Sequence, residues 1–295
     1  MILLTGATGL LGSALLRRLL DSGRDVRCLV RDPRRLGPNR VRVQITLGDL
    51  ADPVALRQAV RGVDTVFHLA ASIRDQPSGS IEELNGLATV RLLREAEHAG
   101  VERFVFFSAL NARPTSRTRF FRAKALAERA VGDADIESVV FAPSIMYAPG
   151  DPWLTLLGRL MLLPWMPVAG SGEAAFQPIW AEDAAACAEA VLSEEANGAD
   201  RFELAGPDVV TYEEMVRIAL EAAGRTRPVV HVPMGIVRRG LRVVERVAGA
   251  SAFATWEEAE LMEEPMTTSR GTEDARKLGV EPKPMRAVLG LAGEA

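Results

Sequence analysis

Three glycines at positions 6, 9 and 12, within Thr5-Gly6-Ala7-Thr8-Gly9-Leu10-Leu11-Gly12, have the type and spacing to hold a pyrophosphate. Met1-Ile2-Leu3-Leu4 precedes them as an apolar strand, and Leu15, Leu16, Leu19 and Leu20 follow at helical spacing. A strand that turns on glycine and launches a helix leaves backbone N–H groups free at the positive end of the helix dipole, where a diphosphate binds. Gly6 permits the tight turn, Gly9 keeps a Cβ out of the ligand's way, and Gly12 lets the helix pack closely on the strand. The alternative, a merely structural turn, is outweighed because strand, loop and helix occur in the order a dinucleotide site requires.

The next apolar run, Val26-Arg27-Cys28-Leu29-Val30, ends in Arg31-Asp32-Pro33-Arg34-Arg35. An acidic side chain at such a strand end accepts hydrogen bonds from the ribose of NAD, whereas an arginine pairs with the 2′-phosphate of NADP. Arg31 comes first and favours NADP(H); Asp32 keeps NAD(H) open, and a solvated charge cluster is the bland reading. Gly48-Asp49-Leu50 closes a third strand, expected over 41–45, and brings an acceptor to where an adenine amino group would lie. Asp49 reads equally as the N-cap of a helix over 53–60.

The elements that position these residues alternate. Helices are expected over 10–22, 53–60, 81–99 and 120–131, and further strands over 65–69, 104–108 and 138–142. This spacing predicts an α/β chain: a Rossmann-like doubly wound parallel sheet with helices on both faces and a smaller C-terminal lobe. His68 lies within an apolar strand and reads as a satisfied core histidine, and the strand runs into Ala70-Ala71-Ser72, small residues that leave room for a cofactor. Residues 1–150 form the dinucleotide-binding domain, to which 176–206 return; 151–175 and 207–295 form the substrate or lid lobe.

At 295 residues with a net charge of −4, nothing global recruits nucleic acid. Cys28 and Cys187 are far apart in apolar contexts and read as buried thiols without a metal motif. No apolar run reaches membrane-spanning length, so a cytoplasmic protein is expected. The apolar stretch 153–167 reads either as a helix buried against the sheet or as a lid over an apolar pocket. Val237, Leu241, Val244 and Ala248 mark one face of a later helix whose other side carries Arg238, Arg239, Arg242 and Arg246. Such a helix packs on its own protein or docks on a membrane surface or a partner. The acidic, threonine-rich 251–269 stretch, broken by Pro265, is expected to be a mobile or loosely packed excursion.

The glycine stretch, Leu29-Val30-Arg31-Asp32-Pro33, Gly48-Asp49-Leu50, His68-Leu69-Ala70-Ala71, Pro143-Ser144-Ile145-Met146-Tyr147-Ala148-Pro149-Gly150-Asp151 and Gln177-Pro178-Ile179-Trp180-Ala181-Glu182-Asp183 together resemble the extended and atypical short-chain dehydrogenase/reductases, which include NAD-dependent epimerase/dehydratase-like proteins. The chain is most similar to the atypical branch of the NADPH-binding accessory subunit of respiratory complex I. The resemblance covers nearly the whole length and includes the tail from Ala275 to Val280 with Pro282 and Pro284.

Active members carry a tyrosine four residues before a lysine, and a serine or threonine at the end of the fifth strand. The lysine holds the nicotinamide ribose and lowers the tyrosine pKa so that a proton is exchanged as hydride moves. Lys124 matches the lysine, with a surface helix lysine as its alternative, but Phe120 stands four residues before it and has no proton to give. The resemblance makes Lys124 a ribose ligand, Ser108 the hydroxyl candidate and Pro143 and Ser144 cofactor contacts. Tyr147, in a loop the family brings near the nicotinamide, is a substitute acid or a packing aromatic. Glu182 and Asp183 read as helix caps, with acid/base work a minority role. Two main functions stay open: an NADP(H)-dependent reductase of a small apolar carbonyl or quinone-like substrate, and a non-catalytic NADP(H)-binding protein that contacts a partner or membrane. A nucleotide-sugar epimerase/dehydratase is a further alternative.

Overall fold

The computed structural model describes residues 1–193, 201–248 and 254–291. In the first half, strands and helices alternate: β1 (Ile2–Thr5), α1 (Leu10–Asp21), β2 (Val26–Val30), β3 (Gln44–Leu47), α2 (Pro53–Val60), β4 (Thr65–His68), α3 (Ala88–Ala99), β5 (Arg103–Phe107), α4 (Arg119–Gly132) and β6 (Glu137–Pro143). The second half contains β7 (Met146–Tyr147), α5 (Pro152–Leu160), β8 (Met166–Ala169), β9 (Ala175–Phe176), β10 (Ile179–Trp180), α6 (Ala181–Ala190), β11 (Arg201–Leu204) and β12 (Val210–Thr211). It closes with α7 (Tyr212–Ala222), β13 (Val229–Val232), α8 (Met234–Ala248), α9 (Trp256–Leu261), α10 (Glu273–Lys277) and α11 (Met285–Val288).

Seven strands form one parallel sheet in the order β11-β6-β5-β4-β1-β2-β3. Alternate strand residues feed opposite faces. Leu4, Phe67 and Val105 pack with α1 and α6 through Leu15, Leu19 and Ala184, while Leu3, Val66 and Phe104 pack with α2, α3 and α4 through Leu56, Leu92 and Ala127. A separate core joins α5, α7, β8 and β9 through Leu157, Met215, Met166 and Phe176. The strand order turns back at β1, which is flanked by β2 and β4, so the crevice of this sheet opens at the carboxyl ends of those strands. Among the described residues no helix is long and apolar enough to cross a membrane.

Several sequence expectations change. The third strand occupies Gln44–Leu47 rather than 41–45, because Asp32 caps a 3₁₀ stretch, Pro33–Val41, that consumes Val41. The helix expected over 81–99 contains a π-helical turn, Glu83–Leu87, where the Asn85 side chain donates to the Ile81 carbonyl at 2.7 Å and interrupts the usual ladder. In the 153–167 stretch α5, capped by Asp151, rests on α7, and Leu157, Met161 and Met166 are buried in the second core, while Leu162 and Trp165 are exposed.

The 251–269 stretch is not loosely packed from Ala254 onward; residues 251–253 lie outside the described residues. Thr255 and Glu258 form a reciprocal capping box for α9, which ends before Pro265. Met266 then donates its N–H to the Ala175 carbonyl at 2.9 Å. Long-range anchors, invisible to composition, hold the segment: Arg74 pairs with Glu258 at 2.6 Å and Asn111 donates to Glu264 at 3.2 Å.

Candidate dinucleotide site

The β1–α1 turn is built for close approach. Gly6 has φ +75°, and a Cβ there would lie 2.6 Å from the Ala70 nitrogen; at Gly12 it would lie 2.0 Å from the Gly6 carbonyl oxygen. Neither position tolerates a side chain without backbone movement. Gly9 is the N-cap of α1 and supplies no capping side chain, so the first-turn amides of Leu10, Leu11 and Gly12 have no acceptor within the helix. A helix start whose first amides have no helical acceptor, beside a cradle without Cβ atoms, fits a dinucleotide diphosphate.

This turn borders a cleft of about 410 Å³. Thr5, Gly6, Thr8 and Gly9 line it from the turn, Arg31, Asp49 and Leu50 from the ends of β2 and β3, and Leu69, Ala70 and Ala71 from the end of β4. Leu10, Leu11 and Gly12 do not line it, and Leu11 and Gly12 are buried. Ser72 belongs to the small-residue run expected beside the cofactor; sequence reasoning missed Leu29, Val30 and Gly48, which neighbour residues it named, and also Gln76 and Leu84. Only the arginine run signalled Arg35; Gln76 and Leu84 come from the loop and helix after β4, whose approach depends on tertiary packing.

The charged rim is sorted by the 3₁₀ turn. Asp32 accepts the Arg34 N–H at 3.0 Å and pairs with the Arg34 guanidinium at 3.3 Å, and neither residue lines the cleft. Arg31 and Arg35 do, with Arg31 Nη1 3.8 Å from Asp49 Oδ2. Asp49 is not the cap of α2: its carboxylate accepts the Ala51 N–H at 3.0 Å, while Asp52 accepts from Val54 at 2.9 Å and caps the helix.

Behind the cleft wall runs a buried chain of hydrogen bonds. The Ala70 N–H donates to Thr5 Oγ1 at 3.4 Å, and Thr5 Oγ1 lies 2.7 Å from His68 Nδ1. His68 Nε2 lies 2.9 Å from Thr89 Oγ1, which donates onward to the Asn85 carbonyl at 2.8 Å. Because the Thr89 hydroxyl proton is committed, His68 is assigned as donating from Nε2 and accepting from Thr5 at Nδ1. Burial, with help from the Lys124 charge, lowers its pKa to about 3, so it is the satisfied neutral histidine the sequence suggested. Asn85 also accepts the Ser72 N–H at 3.0 Å, tying the π-helical turn to the cleft floor.

The carboxyl ends of β5 and β6 look different. Lys124 is only 2% exposed, which removes the surface-lysine reading. Its Nζ donates to the Phe107 carbonyl at 2.6 Å and lies 4.8 Å from the Phe106 ring and 5.8 Å from the Phe120 ring. Burial lowers its pKa to about 7, partly offset by Glu128. Ser108 donates to Glu128, whose other oxygen accepts from Arg201 at 2.7 Å. Ser144 donates to the Met266 carbonyl at 2.6 Å. Tyr147 is fully buried, its hydroxyl has no partner among the described residues, and burial raises its pKa. Lys124, Ser108, Pro143, Ser144 and Tyr147 do not line the cleft. The segment after α9 meets this end of the sheet through Met266 at Ser144 and through Glu264, which accepts from Asn111.

Glu182 and Asp183 do not cap α6, whose N-cap, Trp180, makes no side-chain bond. They lie in the first turn, where Asp183 accepts the Lys283 N–H at 2.8 Å and Glu182 pairs with Arg17. Cys28 and Cys187 are free and buried, and burial pushes both thiols up to about 12. Among the described residues no cluster of His, Cys, Asp or Glu could hold a metal.

Comparison with known proteins agrees with this geometry. A family model described as NAD(P)H-binding matches residues 6–148. The chain is 31% identical over 247 residues to a ceramide reductase of Caulobacter vibrioides, covering 82% of this chain and 77% of that one. It is 29% identical over 246 residues to the mitochondrial NADH dehydrogenase [ubiquinone] 1 alpha subcomplex subunit 9 of Arabidopsis thaliana, covering 79% of this chain but only 60% of the subunit's length. An NADPH-dependent quinone oxidoreductase of Escherichia coli, solved with NADPH, superposes with a TM-score of 0.74 over 98% of each chain at 19% identity, a likeness of fold alone. With its glycine cradle, its parallel seven-stranded sheet and these relatives, the chain belongs to the atypical, NAD(P)-binding short-chain dehydrogenase/reductases, in the branch related to the complex I subunit.

Proposed function

We propose that the chain is an NADP(H)-binding protein that keeps the dinucleotide site of its family without the family's tyrosine-driven proton transfer. One observation carries the preference for the phosphorylated cofactor: Arg31 and Arg35 line the rim of the cleft, while Asp32, the one feature that favoured NAD, is engaged as the cap of the 3₁₀ turn. Two guanidinium groups suit a 2′-phosphate, and a carboxylate turned away removes the competing ribose acceptor. Arg31→Ala and Arg35→Ala should each weaken NADPH binding by about 10- to 100-fold, the range for losing a charge-assisted hydrogen bond, and barely change NADH binding. Unchanged NADPH affinity in both variants contradicts the proposal.

Phe120 in the tyrosine slot supports the non-catalytic side of this reading, as do the commitments of Ser108 to Glu128 and of Lys124 to the Phe107 carbonyl. The second reading, a reductase of a small apolar carbonyl or quinone-like substrate, is favoured by Lys124 itself. An amine whose pKa lies near neutrality both gives and takes protons at physiological pH. NADPH oxidation measured against a panel of apolar carbonyls and quinones separates the two. Activity that appears only in Phe120→Tyr supports binding without turnover; substantial turnover by the unmodified chain supports the reductase. A nucleotide-sugar substrate has no comparable observation in its favour. The buried, unpaired thiols suit a reducing, cytoplasmic setting.

A further inference from the structure

α8 is held to the body of the molecule chiefly by α9. Its attachment uses one side only. Val237, Leu241 and Val244 are half-buried on that side, Glu245 accepts the Trp256 N–H at 2.8 Å, and the guanidinium groups of Arg238 and Arg242 lie 4.5 and 5.6 Å from the centre of the Trp256 ring. At 100° per residue the opposite side is then fixed. Ile236 and Val243 form one ridge on it, 61% and 56% exposed, and Arg239 and Arg246 form the ridge beside them. Neither Arg239 nor Arg246 makes an ion pair among the described residues. α8 carries four arginines and one glutamate, and that glutamate faces α9, within a chain whose net charge is −4.

We propose that the outward face of α8 docks on the surface of an anionic lipid bilayer, lying parallel to it. The aliphatic ridge would enter the boundary between headgroups and acyl chains, and Arg239 and Arg246 would reach lipid phosphates from the adjacent ridge. A nucleic acid would satisfy the arginines but leave Ile236 and Val243 in water. An acidic protein surface would likewise need an apolar groove of matching shape, whereas a bilayer interface supplies both chemistries to any helix that presents them side by side. Stacking of Arg238 and Arg242 on Trp256 fixes the rotation of α8 and so keeps these ridges outward.

The test uses the full chain with vesicles of phosphatidylcholine, with and without phosphatidylserine, read by co-sedimentation. Binding should require phosphatidylserine and weaken steeply with added salt. Arg239→Ala combined with Arg246→Ala, and separately Ile236→Ser combined with Val243→Ser, should each reduce partitioning by about tenfold, with unchanged NADPH affinity and thermal midpoint reporting intact folding. Equal binding to both vesicle types, no binding to either, or double variants that partition like the parent overturns the proposal. So does tighter binding to polyglutamate or duplex DNA than to phosphatidylserine vesicles at the same salt.

Discussion

Lys124 shows how much of a site is decided by one side chain's surroundings. Its ammonium lies under the Phe106 and Phe120 rings with a single backbone acceptor, and burial brings its pKa from 10.5 to about 7. The unfolded chain therefore binds more protons between those values, and stability rises with pH across that window; the cost of burying the charge is full below about 7. Lys124→Met removes that cost. Its stability advantage over the parent should be greatest at about pH 6 and shrink above pH 7 by up to about 1.4 kcal/mol per pH unit, as followed by denaturant unfolding at several pH values. An advantage that does not vary with pH would mean that Lys124 titrates normally. The sequence showed this lysine and its missing tyrosine partner, but not its burial. Ala123, Ala125 and Ala127 around it are too small to mark which face of α4 turns inward. The arginine run was similar: residue types gave the charge, but only the turn begun by Asp32 and Pro33 decides that Arg35, not Arg34, lines the cleft.

Among the elements, the junction of β1 with α1 is where spacing and structure agree most closely. Strand, turn and helix follow from the apolar run, the glycines and the leucine periodicity, and α1 lies against the turn because Gly12 has no Cβ. Gly12→Ala places a methyl 2.0 Å from the Gly6 carbonyl oxygen and should cost about 1–3 kcal/mol of stability, the usual range for overpacking, together with most of the NADPH affinity. Denaturant unfolding and ligand titration of one preparation check both; a variant as stable as the parent would mean that the helix is not seated this closely. The elements that were misread are those fixed from a distance. α9 carries a legible capping box in Thr255-Trp256-Glu257-Glu258, yet its acidic composition suggested a loose excursion, because its anchors at Arg74 and Asn111 come from much earlier in the chain. The carboxylates of α6 are likewise taken by Lys283 and Arg17, partners that no local rule supplies.

Across the whole molecule, one parallel sheet with helices on both faces supplies a crevice where its strand order turns back, and the chain lines that crevice with the glycine turn after β1 and with arginines that follow β2. At the carboxyl ends of β5 and β6 the segment after α9 bonds to Asn111 and Ser144, and the residues the family uses for chemistry are bonded to protein there rather than facing the cleft. The alternation of apolar runs made the sheet legible; the packing of the segment around α9 was not, because it depends on contacts with Arg74, Asn111, Ser144 and Ala175, far away in sequence. The central claim is a retained site that selects NADP(H) over NAD(H), and calorimetric titration of the unmodified chain tests it most directly. NADPH should bind at a single site at least about tenfold more tightly than NADH, as one extra charge-assisted contact requires; equal affinity for the two cofactors, or no binding of either, would contradict it.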